Sequence, residues 1–183
     1  MTRAPRTCAG AAPTSWRRDM RPGLIVAAVV LAGDQISKAL LIGLMAARGD
    51  APLEITGFFR LVMVWNQGVS FGLLNGPDEA GLRRWALVVV ALAIVGGLLL
   101  WLRKARTPWL AGVIGAIVGG ALGNVVDRLA RGAVADFFDA HAWGWHWPAF
   151  NVADAAISLG VVALIADGLL GRRSERHNRD RAA

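Results

Sequence analysis

Residues 107–126 read TPWLAGVIGAIVGGALGNVV and contain no ionisable side chain. A helix needs about 20 such residues to cross the hydrocarbon core of a bilayer. Three further stretches are long and mainly apolar: 24–45, 85–102 and 150–170. The whole chain is 55% hydrophobic and only 18% charged, whereas soluble domains carry about 25% charged residues. We therefore predict an all-α membrane protein with four transmembrane helices.

The net charge of +7 reflects membrane topology more than a nucleic-acid partner, which we do not expect. Most of the 20 lysines and arginines lie before the first span, between the second and third, and after the fourth. Cytoplasmic segments of membrane proteins are enriched in these residues. Both termini are therefore predicted to be cytoplasmic.

Composition divides the chain into three parts. Residues 1–21 are rich in Arg, Ala and Pro and are predicted to be a disordered basic arm. Charges inside the first span argue against a cleaved signal peptide, and translation could begin at Met1 or Met20. Residues 22–171 form the membrane domain, and 172–183 form a basic cytoplasmic tail.

With this orientation, residues 48–84 and 128–147 lie outside the cell membrane. Residues 54–66 are rich in Ile, Thr, Phe, Val and Trp, which predicts extended strand between helices 1 and 2. A turn at 66–76 follows. In the second segment, alternating tryptophans favour an aromatic belt at the membrane surface, and Asp139 is interpreted as a solvated loop charge. The tryptophans are Trp143, Trp145 and Trp147.

Polar residues distant in sequence converge on one layer below the outer surface. A helical rise of 1.5 Å per residue places Lys38, Asn124 and Asp154 in the outer halves of their helices. Ionisable groups at such depths are costly unless paired or hydrated, so by default they indicate a functional site. Asp34 and Lys38 are four residues apart, and a structural pair is favoured over direct catalysis.

Asp127 and Arg128 leave two readings open. They could form an ordinary interfacial pair, or Arg128 could bind a lipid phosphate or a peptide carbonyl. Asp136 and Asp154 have no cationic neighbour in sequence and lie among apolar residues. Two such carboxylates, if adjacent, could share one proton and act as general base and general acid, as in aspartic proteases.

Other chemistries are less well supported. Ser37 adjoins Lys38 and faces elsewhere on the helix, while Ser70 lies in a Gly-flanked turn, so a Ser-Lys mechanism is disfavoured. The single Cys8 and the histidines leave little material for a metal centre, and no cofactor is expected. The histidines are His141, His146 and His177. A proton-linked transporter and a non-catalytic scaffold remain alternative functions.

Helix three also contains a packing pattern. Glycines recur at four-residue spacing, so another helix could approach its backbone closely. Asn124 and Asp127 share a spacing with Asn151 and Asp154 that puts both side chains of each pair on one helical face, where the amide could hydrogen-bond the acid. The glycines are Gly112, Gly115, Gly119, Gly120 and Gly123.

At these residues the chain resembles the bacterial lipoprotein signal peptidases, also called type II signal peptidases. Departures are small: Ser70 and Ala135 stand where an alanine and a valine are expected. Five blocks in order carry the resemblance: DQISK at 34–38, NQGVSFG at 66–72, GGALGNVVDR at 119–128, VADF at 134–137 and FNVAD at 150–154.

The resemblance implies an intramembrane aspartic endopeptidase of the bacterial inner membrane, with a small periplasmic β-rich cradle between helices 1 and 2 and without a metal. Asp136 and Asp154 would be the catalytic dyad, near the periplasmic face. We expect the enzyme to be monomeric. It would remove the signal peptide of a diacylglyceryl prolipoprotein by cleaving before the lipidated cysteine, with membrane lipids as further partners. Substrate-binding or supporting roles would fall to Asn66, Gly68, Asn124, Asp127, Arg128 and Asn151, and to Asp34 and Lys38.

Overall fold

The computed structural model describes residues 20–68 and 79–180, with side chains over 20–68 and 81–169. The predicted arm up to residue 19, Ser70, most of the turn after Asn66 and the last three residues lie outside the described residues. In the described part, four helices are long and apolar enough to cross a membrane. They are α1 (Arg21–Ala47), α2 (Glu79–Leu102), α3 (Pro108–Arg131) and α4 (Val152–Asp180).

Each helix overlaps one predicted span, which confirms the four-helix fold, but α3 extends past the predicted end at Val126. Charges after Val126 suggested a loop. In the structure, Asp127 pairs with Arg131 one helical turn later, with 2.6 Å between Oδ1 and Nη1. Gly132 then ends the helix with a φ of 84°, a left-handed conformation that glycine adopts without strain.

Four antiparallel strands form one sheet in the order β1 (Leu53–Thr56), β2 (Phe59–Asn66), β3 (Val134–Ala142) and β4 (Trp145–His146). The first two strands confirm the cradle predicted between helices 1 and 2. The other two come from the segment between α3 and α4, so half of the sheet was missed. Asn66 pairs with Val134, which places the end of β2 beside the start of β3.

Helix α3 is the central helix of the bundle. Within an 18-residue apolar segment of α3, 56% of the residues are buried. In the corresponding segments of the other three helices, only 11–17% are buried. A Cβ atom on Gly115 would meet the carbonyl oxygen of Gly23 in α1, and one on Gly120 would meet that of Ala153 in α4. The predicted close helix packing is thus confirmed there, whereas Gly112 makes only an ordinary contact with Val26.

Gly115→Ala is expected to lower the free energy of unfolding by about 1–3 kcal/mol, because the added methyl group meets backbone that cannot move aside cheaply. Thermal unfolding in detergent, followed by circular dichroism, measures the change. Gly97→Ala on α2 is the matched control, since a Cβ atom there meets nothing within 4 Å. Equal unfolding temperatures for the two variants would contradict the packing argument.

Candidate active site

Asp136 on β3 and Asp154 in the first turn of α4 lie on either side of one side chain, Asn151. The Asn151 amide nitrogen donates to Asp136 Oδ1 at 2.6 Å. Its backbone N–H donates to Asp154 Oδ2 at 3.3 Å, and its side-chain oxygen accepts from the Asp154 N–H at 3.0 Å. Asn151 is fully buried, so it fixes the relative position of the two carboxylates.

Two more asparagines complete the hydrogen bonding of these acids. Asn66 Nδ2 donates to Asp136 Oδ2 at 2.9 Å, and Asn124 Nδ2 donates to Asp154 Oδ1 at 2.8 Å. The expectation that Asn124 would bond Asp127, in its own motif, is therefore wrong. Helices α3 and α4 pack closely enough for the Asn124 amide to reach across to the acid of the other motif.

Gly68 helps to hold Asn66 in place. Its N–H donates to Asn66 Oδ1 at 2.8 Å, so both ends of that amide are engaged. The φ of Gly68 is 95°, a backbone conformation that residues other than glycine rarely adopt. A Cβ atom at this position would also meet the side chain of Leu87. Arg128 lies beside Gly68 and donates from Nη1 to the carbonyl oxygen of Asn124 at 3.3 Å.

Behind the two acids lies a fully buried ion cluster. The Lys38 ammonium bonds Asp34 Oδ2 and Asp127 Oδ2, both at 2.8 Å, and Asn124 Oδ1 at 3.2 Å. These contacts use all three of its donors. The predicted Asp34–Lys38 pair is confirmed. Of the two readings left open for Asp127 and Arg128, the interfacial pair is not the one observed, because Asp127 pairs with Lys38 and Arg131.

The two carboxylates of this cluster also bind backbone next to the dyad. Asp34 Oδ1 accepts from the N–H of Ala153, which precedes Asp154, at 3.0 Å. Asp127 Oδ2 accepts from the N–H of Ala135, which precedes Asp136, at 3.2 Å. Because Lys38 joins Asp34 to Asp127, the cluster ties the start of α4 to the start of β3.

Two members of the cluster, Gln35 and Arg131, were not predicted from the sequence. Gln35 Nε2 donates to Asp34, to Asp127 and to the carbonyl oxygen of Gly123, at 3.1–3.3 Å. Arg131 pairs with Asp127. The four-residue spacing between Asp127 and Arg131 was a signal that could have identified Arg131. Nothing in the spacing of Gln35 indicated its role.

Asp139 was also misread as a solvated loop charge. It is 5% exposed and accepts a hydrogen bond from Arg60 Nε at 2.7 Å. The Arg60–Asp139 pair is possible because the two residues face each other across β2 and β3. That register is a property of the folded sheet and could not be inferred from spacing along the chain.

The two dyad carboxyls differ in their surroundings. Asp136 is 1% exposed, whereas Asp154 is partly exposed. The pKa of Asp136 is raised to about 6, chiefly by burial and also by the nearby charge of Asp154. The hydrogen bonds from Asn66 and Asn151 and the charge of Lys38 oppose this rise. The site thus combines a buried carboxyl of raised pKa with a carboxyl that solvent can reach.

Comparison with known proteins identifies the family. A family model described as "Signal peptidase (SPase) II" matches residues 26–170. The chain is 51% identical to the lipoprotein signal peptidase of Methylorubrum extorquens (strain PA1), covering 81% of this chain and 86% of the relative. It is 42% identical to that of Caulobacter vibrioides, covering 82% and 88%.

A solved bacterial membrane enzyme shares the fold. It superposes with a TM-score of 0.68 at 26% identity, covering 80% of this chain and 92% of the other. Its fold agrees with the four apolar helices described above. With a family match over most of its length, this chain belongs to the signal peptidase II family of multi-pass inner-membrane proteases.

Proposed function

We propose that this chain removes the signal peptide of diacylglyceryl-modified prolipoproteins, cleaving before the lipidated cysteine as an aspartic endopeptidase. The observation that carries the mechanism is the shared contact of Asp136 and Asp154 with Asn151. Family membership supports the substrate. The proposed enzyme is monomeric.

The proposed reaction assigns different roles to the two acids. Asp154, the more exposed, takes a proton from water, and the water oxygen bonds the scissile carbonyl carbon. Asp136 gives its proton to the carbonyl oxygen, which produces a neutral tetrahedral diol. When the C–N bond breaks, the cysteine amine takes the proton from Asp154, and one diol hydroxyl returns a proton to Asp136. One water is consumed, and both acids regain their starting states.

Arg128 and the backbone at Gly68 are proposed to bind the substrate. They lie side by side near the dyad, and Arg128 is only partly buried. A guanidinium with donors to spare can bind a peptide carbonyl. The cationic segments support cytoplasmic termini, which would put the sheet and the dyad at the periplasmic surface, where a lipidated substrate can enter sideways from the outer leaflet.

A transporter is not favoured. The described polar cluster lies at the sheet end of the bundle, around Lys38 and Asn124. Toward the other end, α2 and α3 pack through a buried cluster that contains Val95, Leu102 and Ile114. A proton-linked carrier would need polar groups along the whole path.

Cleavage is expected to fall as pH rises through about 6. The protonated form of Asp136 is the proton donor in this scheme, and it is fully populated only below its pKa of about 6. The value of kcat/KM should therefore decline by up to about tenfold per pH unit above that value. A pH profile with a purified prolipoprotein in detergent measures this descending limb of the activity curve. The apparent pKa of the limb belongs to Asp136 and Asp154 as an interacting pair.

Asn66→Ala sharpens the test. The Asn66 amide donates to the ionised carboxylate and so lowers the pKa of Asp136. Its removal should move the descending limb to higher pH, whatever the change in maximal rate. A limb that stays at the same pH in Asn66→Ala would contradict the assignment of the proton to Asp136.

A further inference from the structure

Three side chains of types that bind metals meet on the sheet outside the dyad. Asp139 and His141 on β3 and His146 on β4 each offer one ligand atom, and these atoms all lie within 4.8 Å of one another. We propose that Asp139, His141 and His146 form a binding site for a divalent transition-metal ion such as Zn²⁺, separate from the peptidase site.

The sheet register brings these residues together. Asp139 and His141 are two residues apart on β3, so both point to the same face. His146 is the direct cross-strand partner of His141, and their rings stack with centroids 5.0 Å apart. Asp136 accepts hydrogen bonds from Asn66 and Asn151, whereas Asp139 contacts Arg60 and His146. The proposed metal site and the dyad therefore share a strand, but their carboxyls have different hydrogen-bond partners.

The donor set and its spacing suit zinc. Two imidazole nitrogens and one carboxylate oxygen are ligands that Zn²⁺ takes, with a fourth position left for water. His146 Nδ1 lies 3.1 and 3.0 Å from the two Asp139 oxygens, a separation that two ligands can have when each bonds one ion at about 2.0–2.2 Å. Among the described residues, the buried Nδ1 of His141 has no hydrogen-bond partner.

The neighbouring charges also fit a dication. Arg60 Nε donates to Asp139 Oδ2 at 2.7 Å, while Oδ1 contacts His146 Nδ1 at 3.1 Å. Carboxylates that bind metals are commonly held by such an outer hydrogen bond. Arg60 Nη2 also lies 3.5 Å from His146 Nδ1, so a bound ion would replace the His146 contacts with Asp139 and Arg60. Glu54 lies 3.7 Å from Arg60 and 3.9 Å from His141. Its charge offsets that of the guanidinium, so the pocket keeps a net negative charge when both histidines are neutral.

Titration of the purified full-length protein with Co²⁺ in detergent, without a histidine tag, tests the site. We expect one Co²⁺ per chain with the visible absorption of a low-symmetry site, and its displacement by Zn²⁺. His141→Ala and His146→Ala should each weaken binding at least about tenfold, since each removes a ligand. His177→Ala, which replaces the third histidine, is the matched control and should bind as the wild type does.

Saturable binding of unchanged affinity in His146→Ala would overturn the proposal, as would the absence of saturable uptake by the wild type. His146 is exposed, so its replacement is expected to leave the fold intact, which circular dichroism of the metal-free protein checks. The titration contains no substrate. Its result therefore stands apart from the success or failure of the proposed peptidase function.

Discussion

Asp136→Asn and Asp154→Asn are each expected to lower prolipoprotein cleavage by about 10²–10⁴-fold or more, because general acid–base catalysis contributes on this scale. Asparagine keeps the shape of the acid but cannot exchange a proton with water or with the scissile carbonyl. Cleavage of a diacylglyceryl prolipoprotein by each purified variant in detergent, resolved as a shift on a gel, measures the loss.

Two control variants separate this loss from a general defect. Asp167→Asn changes a carboxylate on the same helix, far from the dyad, and should cleave normally. Ser70→Ala should also remain active, whereas its inactivity would revive the serine mechanism. Each variant must be shown to insert in the membrane as the wild type does. Full activity in either dyad variant would contradict the assignment of Asp136 and Asp154 as the catalytic acids.

The sequence predicted those parts of the site that depend on local patterns. Lys38 and Asp154 are charges inside long apolar stretches, which makes them visible without a structure. Their depth along predicted helices follows from a fixed rise per residue. The meeting of Lys38, Asn124 and Asp154 near one end of the bundle could therefore be anticipated, although their individual bonds could not.

Strand β3 could not be predicted, because it lacks the alternation that indicates a strand. Its residues Val134–Phe137 are all buried, so both faces of the strand carry apolar or satisfied side chains. A two-residue period appears only when one face meets water. Missing β3 also meant missing the contacts of Asp139, since these depend on which residues face one another across the sheet.

The bonds of Asn124 and Asp127 were misassigned for a related reason. Both residues lie on α3, the helix in contact with each of the others. Sequence spacing suggests partners within a helix, whereas close packing of helices at glycines allows partners across them. Asp127 thus bonds Lys38 on α1 and the backbone of β3.

Lys38→Met is expected to lower the free energy of unfolding by about 3–5 kcal/mol, because it leaves buried carboxylates without their cation. Cleavage should also fall, since Asp34 and Asp127 hold the backbone beside each member of the dyad. Unfolding in detergent and prolipoprotein cleavage measure the two effects. Lys104→Met, at the exposed connection between α2 and α3, is the matched control and should change neither.

The triple variant Asp34→Asn, Lys38→Met, Asp127→Asn separates stability from positioning. Replacing a whole buried ion cluster by neutral groups is often tolerated, so the free energy of unfolding should return toward that of the wild type. Activity should stay low, because Asn124 has lost the ammonium that turns its amide toward Asp154. If the triple variant cleaved at the wild-type rate, or if Lys38→Met unfolded like the wild type, the cluster would not hold the dyad in place.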